Sequence, residues 1–184
     1  MTLAPPKSAL RIVALLNSAA SIEDDALRDA ILFSSFCKEV AIDPPKRVAD
    51  EVLLASLREL RGVLRACFLD PASPRARRLQ SITTRARLMI GLDGEGLPVL
   101  QSAASGSNTV FAQFVLDSVS VAAGGGWRRI RFCDATGCDT AFFDTTRSRT
   151  RRWCDMKTCG NRAKVAQYRE RKLRGEVKNA RSLG

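Results

Sequence analysis

Cys133, Cys138, Cys154 and Cys159 form two C-x4-C pairs separated by fifteen residues. Each pair can close a tight loop with both sulfurs turned inward, and the gap lets the two loops meet. That is what a tetrahedral four-thiolate metal site requires, with each sulfur about 2.3 Å from the ion. The chain contains no histidine, so Ser/His or Cys/His catalysis and His-ligated metals are ruled out within it. Two disulfides or an iron–sulfur cluster are the alternatives. The absence of a secretion signal argues against the first, and the missing C-x2-C spacing against the second. One zinc ion on the four cysteines is therefore expected. Four protein ligands leave no position open for water, so its role should be structural. A segment this small lacks the core to fold alone, and metal binding should supply much of its folding free energy. Cys37 and Cys67 sit in apolar helical stretches and read as buried free thiols.

Charge separates the chain into two parts. Residues 1–126 hold 14 Lys and Arg against 13 Asp and Glu, whereas residues 127–184 hold 16 against 6, so nearly all of the net +11 lies beyond the Gly124-Gly125-Gly126 run. A field that concentrated faces a polyanion or an acidic surface. Three consecutive glycines cannot hold a helix, which sets the expected organisation: a domain at 1–123, a linker at 124–126, a finger at 127–174 and a flexible basic tail at 175–184.

The first region reads as α+β. Residues 8–20 should form a largely buried helix, or a central strand as the second choice. A Ser-x-x-Asp cap at Ser21 should start a second helix running to about Glu39. After Pro44 and Pro45, residues 47–68 repeat Val48, Val52, Leu57, Leu60, Leu64 and Phe68 along one face of a long helix. Ser73 should cap a short basic helix. Residues 85–91 and 97–102 read as a small antiparallel hairpin across Asp93-Gly94-Glu95-Gly96, and residues 109–121 as a helix with Val110, Phe114, Val115 and Val121 inward. No nucleotide-binding glycine motif, convergent carboxylate pair or nucleophile with a base stands out, so no enzyme is expected. No apolar run reaches the roughly 20 residues needed to span a bilayer, and the chain is expected to be cytoplasmic.

Within the basic part, residues 127–132 and 140–145 should pair as a short hairpin around the first cysteine loop. Good helix formers from Gly160 to Arg174 should make a helix that stops at Gly175, with Cys159 in its first turn. Asn161, Val165, Tyr168 and Lys172 then share one face, Arg162 and Arg169 flank it on one side, and Lys164 and Arg171 on the other. Arg147, Arg149, Arg151 and Arg152 add a basic loop before Cys154. Phosphates attract such clusters, and arginine and asparagine can also bind base edges.

The string from Arg151 to Lys164 resembles the signature of the CGNR zinc-finger family, named for the tetrapeptide that is Cys159-Gly160-Asn161-Arg162 here. Phe143-Asp-Thr-Thr and Tyr168-Arg-Glu-Arg171 are similar to that family too. The early Leu15-Leu-Asn-Ser motif resembles the ABATE domain that accompanies this finger in bacterial proteins. The resemblance implies a stress-induced bacterial transcription regulator with an α+β N-terminal domain and a treble-clef-like finger. Duplex DNA is the partner it implies. RNA, or an acidic protein partner, is the alternative the charge allows. The N-terminal region is then a sensor for a small-molecule effector or a homodimerisation unit.

Overall fold

The computed structural model describes residues 3–19, 24–45 and 50–181. Helix α1 (Lys7–Leu16) starts after Pro6 and buries Ala9, Ile12, Leu15 and Leu16. The capping motif expected at Ser21 falls mainly on residues outside the described ones. The second helix, α2 (Ala30–Glu39), begins later than expected because Asp29 is its cap, accepting the amides of Ile31 and Leu32 at 3.0 Å each. Asp25, upstream of it, is engaged elsewhere. Its buried carboxylate receives both terminal nitrogens of Arg61 at 2.7 Å and the Leu27 amide at 2.9 Å.

Asp50 caps α3 (Glu51–Leu69) through the Leu53 amide at 2.8 Å. The expected start at residues 47–49, with Val48, lies outside the described residues. Leu53, Leu54, Leu57, Leu60, Val63 and Leu64 form its buried stripe, and Val52, expected inward, is 68% exposed. Heptad steps back from Leu60 and Leu64 lead to Leu53 and Leu57, so Val52 falls off the stripe. Ser73 caps α4 (Pro74–Arg77) by accepting the Ala76 amide at 3.2 Å. Helix α5 (Leu79–Ile82) and a 3-10 turn (Thr83–Ala86) follow. Strand β1 (Leu88–Leu92) therefore starts three residues later than expected, after Arg87 reverses the chain at φ +44°. It pairs antiparallel with β2 (Pro98–Ser102). Helix α6 (Asn108–Ala123) buries Val110, Phe111, Phe114, Val115 and Val121.

The three glycines do end α6, by donating back to it. The Gly126 amide bonds the Val121 carbonyl at 2.8 Å and that of Gly125 bonds Ala122 at 3.1 Å, with Gly125 left-handed at φ +68°. Only glycine adopts that conformation without strain, and the paired bonds satisfy carbonyls the helix end leaves open. Strands β3 (Ile130–Phe132) and β4 (Ala141–Phe143) pair antiparallel beyond them, as the sequence suggests. Ile130, Ala141 and Phe143 join the same buried cluster as Ile12, Leu57 and Phe114. Trp127 stacks on Phe68 at 4.3 Å between ring centroids. The Arg65 guanidinium lies over Phe132 at 4.6 Å.

Helix α7 (Asn161–Arg181) departs from expectation in length. It continues through Gly175 instead of stopping there and runs to Arg181. One interior glycine costs about 1 kcal/mol, which a long run of Lys, Arg, Glu, Ala and Leu around it can offset. No helix among the described residues is long and apolar enough to cross a membrane.

Candidate metal centre and basic helix

The loop at residues 133–138 is closed by a turn in which Cys138 donates its amide to the Ala135 carbonyl at 3.0 Å, with Gly137 left-handed at φ +74°. That reversal points Cys133 and Cys138 the same way. The second pair is set by Asp155, whose carboxylate accepts the Thr158 amide at 2.7 Å and its hydroxyl at 2.9 Å, nucleating a π-type turn (Met156–Gly160) that carries Cys159 and runs on into α7. Cys159 thus sits just ahead of the helix rather than inside its first α-turn.

The four sulfurs lie within 4.8 Å of one another. Cys138 and Cys154 are 3.8 Å apart and Cys154 and Cys159 are 3.7 Å apart. A tetrahedron of thiolates about 2.3 Å from zinc has edges of about 3.8 Å, so the cage matches a single ion. A disulfide would need about 2.05 Å. A polynuclear iron–sulfur cluster would need wider spacing, because its four cysteine sulfurs are shared among two or four irons instead of meeting at one. The four cysteines form one structural zinc site.

The surroundings of the sulfurs suit a tetrathiolate carrying excess negative charge. The Cys154 amide donates to the Cys133 sulfur at 3.4 Å, Arg162 Nη2 donates to the Cys159 sulfur at 3.5 Å, and Thr140 Oγ1 lies 3.3 Å from the Cys138 sulfur. The Thr140 hydroxyl, with its amide, draws the Cys138 thiol down to about 6. Burial, reinforced by the neighbouring sulfurs, pushes Cys154 up to about 12. Cys37 stands apart: burial raises its thiol to about 11, and burial also raises half-buried Cys67, so both are weak nucleophiles.

Two residues outside the expected site hold it together. Asp144 is fully buried and gathers the Thr146 amide at 2.8 Å, the Thr146 hydroxyl at 2.6 Å and the Arg151 amide at 3.0 Å, with Arg131 at 4.0 Å. Burial by itself would raise this carboxyl, but the Thr146 bonds, the Arg151 amide and the Arg131 charge outweigh it and hold the group below the ordinary range. Asp-x-Thr is an Asx-turn pattern, and that was the available signal. The second residue is Asn17, whose side chain bonds both the amide and the carbonyl of Ala141.

The expected nucleic-acid residues divide into two groups. Arg151 turns inward: it donates to the carbonyls of Trp153, at 2.9 Å, and Cys154, and stacks on Phe142 at 4.9 Å. Arg152 pairs with Asp134 at 2.9 Å and lies over Trp153. The Asn161 amide donates back to the Lys157 carbonyl at 3.0 Å, and Arg162 faces sulfur. Hydrogen-bonding needs inside the finger claim all four. Arg147, Arg149, Lys164, Arg169, Arg171 and Lys172 are exposed and make no ion pair among the described residues.

Ala163, Ala166, Gln167 and Glu170 face a cleft of about 260 Å³ against Asp134, Ala135 and Trp153. By helical geometry the opposite side of α7, bearing Val165, Tyr168 and Lys172, points to solvent. Val165 and Tyr168 are 48% and 69% exposed. A larger cleft of about 550 Å³ lies on the other side of the finger, between Leu16, Asn17, Arg61 and Arg65 and the first cysteine loop.

Residues 129–172 match the family model described as the CGNR zinc finger. No curated protein matches the chain. The tetrapeptide that gives this finger its description is used internally here. Cys159 is a ligand, Gly160 is buried against Met156, Asn161 locks the turn, and Arg162 supports a ligand sulfur.

Proposed function

We propose that the chain is a zinc-dependent DNA-binding transcription regulator, stress-responsive, cytoplasmic and non-catalytic, that reads duplex DNA with the outer face of α7. The observation that carries this reading is the projection of α7. It is exposed along nearly all of its described side chains, with Val165, Tyr168 and Lys172 outward and Lys164, Arg169 and Arg171 beside them without acidic partners among the described residues. A helix is about 10–12 Å across, which fits a major groove about 12 Å wide, and 21 residues give α7 a length of about 30 Å. Arg147 and Arg149 extend the cationic surface ahead of the finger. The zinc site fixes the base of this helix, and the N-terminal region serves as sensor or dimerisation unit.

Fluorescence anisotropy of labelled duplex with zinc-loaded protein tests the reading. Binding should weaken steeply with salt, with a slope near 0.9 per neutralised phosphate. No binding even at low salt overturns it. Selection from randomised duplex then identifies the sequence read. RNA is the second reading, favoured by exposed Tyr168, which could stack a base. Trp127, Phe142, Phe143 and Trp153 are packed in the fold and offer no further platform. Single-stranded RNA that outcompetes duplex DNA would select it. Capture of an acidic protein partner that survives nuclease treatment would select the third reading.

A further inference from the structure

The β1–β2 hairpin has a free edge whose residues suit a second copy of the same edge. Its register pairs Leu88 with Ser102, Ile90 with Leu100 and Leu92 with Pro98. The Asp93 amide bonds the Leu97 carbonyl at 2.9 Å and the Ala103 amide bonds the Arg87 carbonyl at 3.0 Å. Hydrogen-bonded pairs alternate along an antiparallel ladder, so residues 87, 89, 91 and 93 bond inward to β2. The peptide groups of Leu88, Ile90 and Leu92 therefore point outward. Of these, the Leu92 carbonyl receives the Gln101 side-chain amide, and only at 3.4 Å. Helix α6 packs against β2, and among the described residues no strand other than β2 pairs with β1.

The side chains along this edge are aliphatic and uncharged, and Ile90 and Leu92 are 75% and 65% exposed. An isolated two-stranded hairpin is marginal in water, and an apolar free edge is a template for strand addition. The charges at the two ends decide what adds. Exposed Arg87 stands immediately before the strand and Asp93 immediately after it, and neither has an ion-pair partner among the described residues. Asp93 caps the turn with one oxygen, accepting the amides of Glu95 and Leu97.

We propose that β1 pairs antiparallel with β1 of a second copy about a two-fold axis at Ile90, joining the two hairpins into one four-stranded sheet. Ile90 then faces Ile90 of the other copy and Leu88 faces its Leu92. All three outward peptide groups fall on bonded positions, giving about six new hydrogen bonds. The same register sets Arg87 opposite the other copy's Asp93, twice by symmetry. The edge is self-complementary in polar pairing and charge, as a two-fold interface must be. A strand from an unrelated protein would need the matching acid-to-base polarity to do as well. The pairing involves no nucleic acid and does not depend on the DNA reading.

Sedimentation of the full-length zinc-loaded chain, without nucleic acid, tests the pairing. A concentration-dependent dimer is expected. Ile90→Pro removes an outward donor while sparing the bonds to β2, a position where an edge strand tolerates proline. It should raise the dimer dissociation constant at least tenfold, as should Arg87→Glu, which sets two acids together. Ile90→Cys reports register without relying on proline. Bonded pairs have Cα atoms about 5.5 Å apart, within disulfide range, so it should cross-link on mild oxidation. Met89→Cys, diagonal to itself across the axis, should not. A monomer at all concentrations overturns the proposal. So does a dimer that Ile90→Pro leaves intact, or cross-linking at Met89→Cys equal to that at Ile90→Cys. None of these results bears on whether α7 binds DNA.

Discussion

The Asn17 carboxamide grips the Ala141 peptide from both sides, donating to its carbonyl at 2.8 Å and accepting its amide at 2.7 Å. Asn17 caps the C-terminal end of α1, and Ala141 opens β4, three residues after a zinc ligand. Leu3 donates to Thr145 at 3.0 Å further along, so the start of the chain binds the finger hairpin at two points. Asn17→Ala leaves two peptide groups of β4 without partners and should cost about 2 kcal/mol in urea unfolding. A loss below about 0.5 kcal/mol would mean that water replaces both contacts.

Removing zinc should melt α7 selectively. The hairpin stays because Ile130, Ala141 and Phe143 are held by the main core, whereas α7 is anchored chiefly through the turn bearing Cys159. Cys154→Ser, or chelation, should lower far-UV helicity by about the share of a 21-residue helix. Trp127, stacked on Phe68, should keep its emission. Full unfolding on chelation would contradict this division.

Arginines on the same helix should behave differently. Arg162→Ala removes a donor from the Cys159 sulfur and should weaken zinc retention about tenfold or more against a competing chelator. Arg169→Ala should leave zinc unaffected and reduce the salt slope of DNA binding by about 1. Equal effects of both substitutions on both measurements would remove the distinction drawn from their geometry.

Acid should act through Asp25. Burial pushes this carboxyl up, but the Arg61 hydrogen bond, the Leu27 amide and the charges of Arg61 and Arg58 more than reverse that, and its folded value is lowered. A group lowered by folding stabilises fully above its unfolded value, about 3.9 for Asp, and that contribution fades as pH falls through the folded value. Asp25→Asn should cost about 3 kcal/mol near neutrality, by leaving Arg61 half-buried and unpaired, and flatten the acid limb below about pH 4. Thiol protonation affects both proteins alike, so the difference between their urea midpoints isolates this carboxylate.

The cysteine cage was legible because ligand spacing is local: C-x4-C and a modest gap are visible in the chain as written. The same holds for Ser73 and the Gly124-Gly125-Gly126 stop, where one or two residues set the backbone. What escaped were long-range pairings. Nothing near Asn17 indicates that its partner is Ala141, and nothing near Arg11 points to Asp117, whose carboxylate it meets at 2.6 and 2.7 Å. Arginine-rich strings mislead for a related reason. Arg147 and Arg151 look alike in sequence, but only Arg151 has free carbonyls and an aromatic face within reach. Helix ends at Ala30 and beyond Gly175 depended on competition, between the Ser21 motif and Asp29 as caps in one case and between a single glycine and its neighbours in the other.

The turn at residues 124–126 sends the chain straight back onto the body it has left. A finger on a slack tether would sample many orientations and give them up each time it docked, whereas here the freedom is already lost on folding, which lowers the entropic cost of association. The finger hairpin and the first cysteine loop are joined to α1 and α3 through Asn17, Arg65 and Trp127. Helix α7 is a lever about 30 Å long. A shift of an ångström where Arg61 and Arg65 line the larger cleft beside the first cysteine loop would pass through the zinc-held base of α7 and be multiplied at its tip.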